Sequence, residues 1–120
     1  QRSSIESKKE DAATMVASVF DLISADVKHS DGYPGWDPNP NSEVLRVLKQ
    51  SYVNLYNKEP LVLAIHAGLE CGLIGEKYPE MDMISYGPTL RGVHSPDERL
   101  LIDTVQETWD LTVEFMKQLQ

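Results

Sequence analysis

Cysteine is almost absent. Cys71 is the single thiol in 120 residues, which excludes an intrachain disulfide framework and fits a reducing, cytoplasmic setting. Long apolar runs are also missing. The longest spans residues 61–67 and is broken by His66, far short of the roughly 20 residues a membrane span needs. Positive charge is scarce: eleven Lys and Arg face nineteen Asp and Glu, for a net charge of −8. A field of that sign repels phosphate backbones, so neither nucleic acid nor membrane is an expected partner. No glycine-rich loop ends in Lys-Ser/Thr, and no dinucleotide fingerprint is present. The first residues carry no secretory signal. Residue 1 is Gln, and Gln1-Arg2-Ser3-Ser4-Ile5 reads as the middle of a strand. The sequence therefore reads as a piece of a longer chain.

What is there suits a folded α/β protein, with 41% hydrophobic and 25% charged residues. Residues 2–6 are a strand candidate. Ser7-Lys8-Lys9-Glu10 has the Ser-x-x-Glu form of a capping box, which predicts a helix from Lys8 to about Ser24. Ala12, Met15, Val16, Val19, Phe20 and Ile23 form its apolar stripe. Residues 26–33 alternate weakly, as an edge strand would. Pro34-Gly35-Trp36-Asp37-Pro38-Asn39-Pro40 excludes regular structure and marks a boundary. Asn41 is a candidate cap for a second helix whose apolar face is Val44, Leu45, Leu48, Tyr52, Leu55 and Tyr56, ended by Asn57 and Pro60. Residues 61–65 and 81–86 predict two strands of a parallel sheet covered on both faces. A turn and short helix lie between them, with Gly75 near the helix end. Ser95-Pro96-Asp97-Glu98 predicts a helix start, and Ile102, Val105, Trp109, Val113 and Met116 give the last helix its stripe. The expected architecture is strand–helix–strand, then helix–strand–helix–strand–helix.

Ligands of parallel sheets sit beyond the carboxyl ends of the strands, which selects the loops 66–72 and 87–95. His94 in the second loop is a candidate metal ligand or general acid/base; a loop histidine bonded to backbone is the plainer alternative. His66 and Glu70 are four apart, but Gly68 falls between them and His66 ends a strand, so a metal pair is disfavoured. Glu70 suits a helix start whatever its function. Cys71 is a nucleophile candidate or a small buried apolar group. Asp97 and Glu98 are an acid pair or helix-start residues. Arg2 and Arg91 are each able to hold a carboxylate in a bidentate fork or to stay solvated. Gly68 and Gly87 could present backbone amides to a substrate or serve turns.

Two segments carry a resemblance. His66-Ala67-Gly68-Leu69-Glu70-Cys71-Gly72-Leu73 and Ser85-Tyr86-Gly87-Pro88-Thr89-Leu90-Arg91-Gly92-Val93-His94-Ser95-Pro96-Asp97-Glu98-Arg99 resemble the C-terminal part of the bacterial aminoacyl-histidine dipeptidases. These are carnosinase-like members of the di-zinc aminoacylase/carboxypeptidase metallopeptidases, and the likeness runs from Arg2 to the last helix. It implies that residues 1–35 end a lid domain and residues 36–120 close the catalytic α/β domain. It implies that His94 is a metal ligand, that Arg2 receives the substrate's free carboxylate, and that Gly68 lines the substrate pocket. It also implies two zinc ions, a dipeptide substrate and a homodimer formed through the lid. The remaining ligands, a bridging aspartate and a general-base glutamate belong to an N-terminal half that this sequence lacks. No catalytic residue is therefore expected within it, and the 120 residues alone should be inactive. Two other readings stay open. One is a family aminopeptidase or N-acyl amino acid amidohydrolase; the other is a non-catalytic acidic α/β interaction module.

Overall fold

A computed structural model describes residues 2–65 and 69–119. They form four helices and one two-stranded sheet: α1 (Glu6–Asp21), α2 (Glu43–Tyr56), α3 (Glu70–Lys77), β1 (Leu90–Arg91), β2 (Arg99–Leu100) and α4 (Asp103–Gln118). The backbone divides into two compact units, residues 1–39 with 62–81 and residues 40–61 with 82–120.

In the first unit the chain is irregular before α1, where a strand was expected, because a strand exists only when a neighbour supplies its hydrogen bonds. Ile5 is the extended N-cap and donates its amide to Ser3 Oγ at 3.1 Å. Ser7 lies inside the helix rather than capping it. Glu6 takes over the start: its carboxylate pairs with Lys9 and accepts the Gly35 amide at 2.6 Å. Both contacts, the lysine first, hold the Glu6 carboxyl below its ordinary titration range. Lys9 also donates to the Tyr33 carbonyl. The Pro34-Gly35 segment is thus gripped closely. A Cβ on Gly35 would stand 2.7 Å from the Ser4 carbonyl oxygen, and one on Gly72 of α3 would stand 2.6 Å from that of Pro34. The predicted strand at 26–33 is not formed.

The second unit packs α2 against α4. Ser42, one residue after the expected Asn41, caps α2 by accepting the Leu45 amide at 3.0 Å. Asp82, 38 residues beyond Val44, closes the same end and accepts the Val44 amide at 3.0 Å. Asn57 ends the helix in the left-handed conformation with φ of 50°, as a C-terminal Asn or Gly does. The core is Val47, Leu48, Leu111 and Phe115, with Val44, Tyr52 and Ile84 against it. Ser51 is fully buried, and its hydroxyl donates to the Val47 carbonyl.

Two expectations fail here for one reason. Residues 61–65 and 81–86 carry no strand ladder, so among the described residues the sheet is the antiparallel β1–β2 hairpin rather than a parallel one. Leu61 is 83% exposed, and the predicted stripe of α1 is open to solvent, with Met15 70% exposed. An apolar run becomes a covered strand only when the chain around it supplies the cover.

Asp82 is expected to make the second unit acid-sensitive. Hydrogen bonds from the Ser42 hydroxyl and then the Val44 amide hold its carboxyl below the ordinary aspartate value, and the helix N-terminus favours its charge. A carboxyl depressed in the folded state stabilises the fold above its unfolded value and loses that contribution as pH falls through the folded one. Denaturant unfolding followed by helix ellipticity at stepped pH is expected to show stability falling below roughly pH 4, with Asp82→Asn flattening that limb.

Candidate functional site

The site is built from the loop between β1 and β2. Leu90 pairs with Leu100 and Arg91 with Arg99, which brings the two ends of a seven-residue loop, 92–98, together. Two successive turns close it. The Ser95 amide donates to the Gly92 carbonyl at 3.1 Å, and the Glu98 amide donates to the Ser95 carbonyl at 3.1 Å. The second turn places Pro96 where a fixed φ suits a type I turn. This is why the expected helix does not start at Ser95. The residues of a capping box are also the residues of a turn, and α4 begins at Asp103 instead.

The Ser95 and Glu98 side chains of that motif have found other work. Ser95 Oγ donates to the Gly92 carbonyl at 2.7 Å and accepts the Asp97 amide at 3.3 Å. Glu98 Oε2 accepts the His94 amide at 2.8 Å. Gly92 has φ of 61°, and a Cβ there would stand 3.0 Å from the Asp97 carbonyl oxygen. His94 has φ of 63°, a left-handed conformation that costs a non-glycine residue about 1–2 kcal/mol. Behind the loop, the Thr89 amide donates to Thr104 Oγ1 at 2.9 Å and the Leu101 amide to the Thr89 carbonyl at 2.9 Å. These bonds tie the hairpin to the first turn of α4.

His94 thus stands exposed on a backbone that its neighbours define closely. Imidazole is a common zinc ligand, and this one suits a single vertex of a metal site. A catalytic ion needs about three protein ligands, and no group of three His, Cys, Asp or Glu side chains converges among the described residues. Arg2 is exposed in irregular backbone of the first unit. Gly68 and His66 lie outside the described residues. Glu70 opens the first turn of α3, as its charge favours, and Cys71 beside it is half-buried. Arg91 takes a place in β1 and Asp97 in the loop. A Cβ on Gly87 would meet nothing within 4 Å. Glu98 and Ser95 are the residues whose role in the loop the sequence reading missed. The signal was the Ser-Pro-Asp-Glu motif itself, assigned to a helix instead of a turn.

No family model matches the chain. Over 118 residues, 98% of its length, it is 45% identical to the cytosol non-specific dipeptidase of Escherichia coli. Its fold superposes on the crystal structure of aminoacylhistidine dipeptidase from Vibrio alginolyticus with a TM-score of 0.80 and 44% identity over 96% of the chain. The chain is similar to these dipeptidases. It spans 24% of the length of each. No helix among the described residues is long and apolar enough to cross a membrane.

Proposed function

We propose that this chain is the C-terminal part of a metal-dependent dipeptidase that hydrolyses Xaa-His dipeptides, and that His94 is one of its metal ligands. One observation carries the reading: a chain 45% identical to a dipeptidase along nearly its whole length holds an exposed histidine in a left-handed conformation, fixed by the loop around it. In this reading His94 would help to hold two zinc ions, which would supply Lewis-acid activation of water for peptide hydrolysis. Arg2 holds the free carboxylate of the substrate, Gly68 lines the pocket, and the proton-accepting group comes from outside the 120 residues. Residues 1–35 end a lid through which the enzyme dimerises, residues 36–120 close the catalytic domain, and the enzyme works in the cytoplasm.

The relative's description as a non-specific dipeptidase favours a second reading, with the same chemistry and a looser preference at the C-terminal side chain. The full-length enzyme, assayed with zinc on Xaa-His dipeptides, other dipeptides and N-acyl amino acids, decides between them. Fastest turnover of Xaa-His dipeptides is expected, with the 120 residues alone inert. Equal rates on all dipeptides would establish the looser enzyme. Preference for N-acyl amino acids, or full activity of the 120 residues alone, would overturn the proposal.

A further inference from the structure

We infer that Glu98 is a positioning residue for the metal ligand: by accepting the His94 amide it holds that residue in the left-handed conformation that aims the imidazole. The inference rests on the reading of His94 as a ligand. Its ground is a conflict between cost and occupancy. A histidine takes φ of 63° only where its surroundings over-determine it. Among the described residues, the contact made to the His94 backbone amide itself is the 2.8 Å bond to Glu98 Oε2, a charge-assisted bond of the stronger kind. Ser95 Oγ supports it from the other side by bridging the Gly92 carbonyl and the Asp97 amide.

The direction of Cα–Cβ follows from the backbone angles, so a change from left-handed to right-handed φ at His94 swings the ring away. The hairpin does not depend on Glu98 for its existence. The β1–β2 pairs and the Thr89–Thr104 and Leu101–Thr89 bonds leave its side chain out. Removing the carboxylate should therefore leave the fold and loosen the ligand. Positioning of this kind resembles the outer partners of metal-bound histidines, whose loss weakens metal binding about 10–100-fold.

The test uses the full-length dipeptidase loaded with zinc and, separately, with cobalt(II). Zinc affinity is read by competition with a chromophoric chelator, ligand geometry by the cobalt d–d absorption bands, and the fold by helix ellipticity. Glu98→Ala is expected to weaken zinc binding at least about tenfold and to alter the cobalt bands. Glu98→Gln, which keeps an acceptor oxygen, is expected to stay within about threefold of the parent. Should the alanine variant fail to fold, Glu98→Asp, with a shorter reach, takes its place with the same expectation. Parent affinity and unchanged bands in Glu98→Ala, or equal weakening in Glu98→Gln, would overturn the positioning role. His94→Ala with full metal content would overturn the ligand reading instead.

Discussion

On the proposed reading, replacing His94 by alanine in the full-length protein is expected to lower dipeptidase turnover by more than about a hundredfold and to release metal. The magnitude follows from what a ligand does. Loss of a group that merely orients a ligand costs 10–100-fold, so loss of the ligand itself costs more. A catalytic ion with one of about three protein ligands missing binds weakly and no longer fixes its water. The loop permits a clean experiment. His94 is exposed, and its imidazole supports no core residue, so truncation leaves the α2–α4 core untouched. Residue 94 keeps its amide for Glu98 after the change. The measurements are kcat with Xaa-His dipeptides at saturating zinc, and bound zinc per chain after dialysis. Turnover within tenfold of the parent at full metal occupancy would show that His94 is no ligand. A rise in KM alone, with metal retained, would make it a substrate contact.

Different parts of this molecule were legible in the sequence for different physical reasons. α2 was readable because its signals are local: a cap expected at Asn41 and found one residue on at Ser42, Asn57 at the other end and an apolar face between. What no local pattern could reveal is Asp82, which reaches the same helix end from a distant part of the chain. The runs 61–65 and 81–86 have the composition of covered strands, yet no ladder forms, since composition reports what a segment needs and not whether a neighbour is there to supply it. The Ser95–Glu98 motif failed differently. Its oxygens suit orphan amides of a helix or of a turn equally well, and the β1–β2 pairing on either side selects the turn. Of the candidate site, His94 was singled out from its loop and its resemblance, and the structure adds the conformation of its backbone. The contacts that Ser95 and Glu98 make in the loop were hidden because both residues already had a sufficient explanation.

The misread face of α4 leads to the largest expected effect on stability. The apolar stripe Ile102, Val105, Trp109, Val113 and Met116 pointed to one side of the helix, and all five are exposed, Trp109 by 64%. The buried side runs through Thr104, Thr108, Leu111 and Phe115 instead. Thr108 folds its hydroxyl onto the Thr104 carbonyl at 2.9 Å, and Thr112 onto that of Thr108 at 2.8 Å. Each threonine thereby satisfies its polar atom within the helix and presents a methyl, so a hydrophobicity pattern undercounts that side. Phe115→Ala removes the largest member of a four-residue core and is expected to cost about 3 kcal/mol. For a unit of this size that lowers the melting temperature by roughly 12 °C or more, and with a total stability near 5 kcal/mol it approaches unfolding. Trp109→Ala, on the open face of the same helix, is expected to cost less than about 0.5 kcal/mol in the 120-residue chain. Urea unfolding of the two variants by circular dichroism makes the comparison. If the tryptophan variant proved the weaker of the two, α4 would be packing through the stripe its sequence advertises, and the α2–α4 core described here would be wrong.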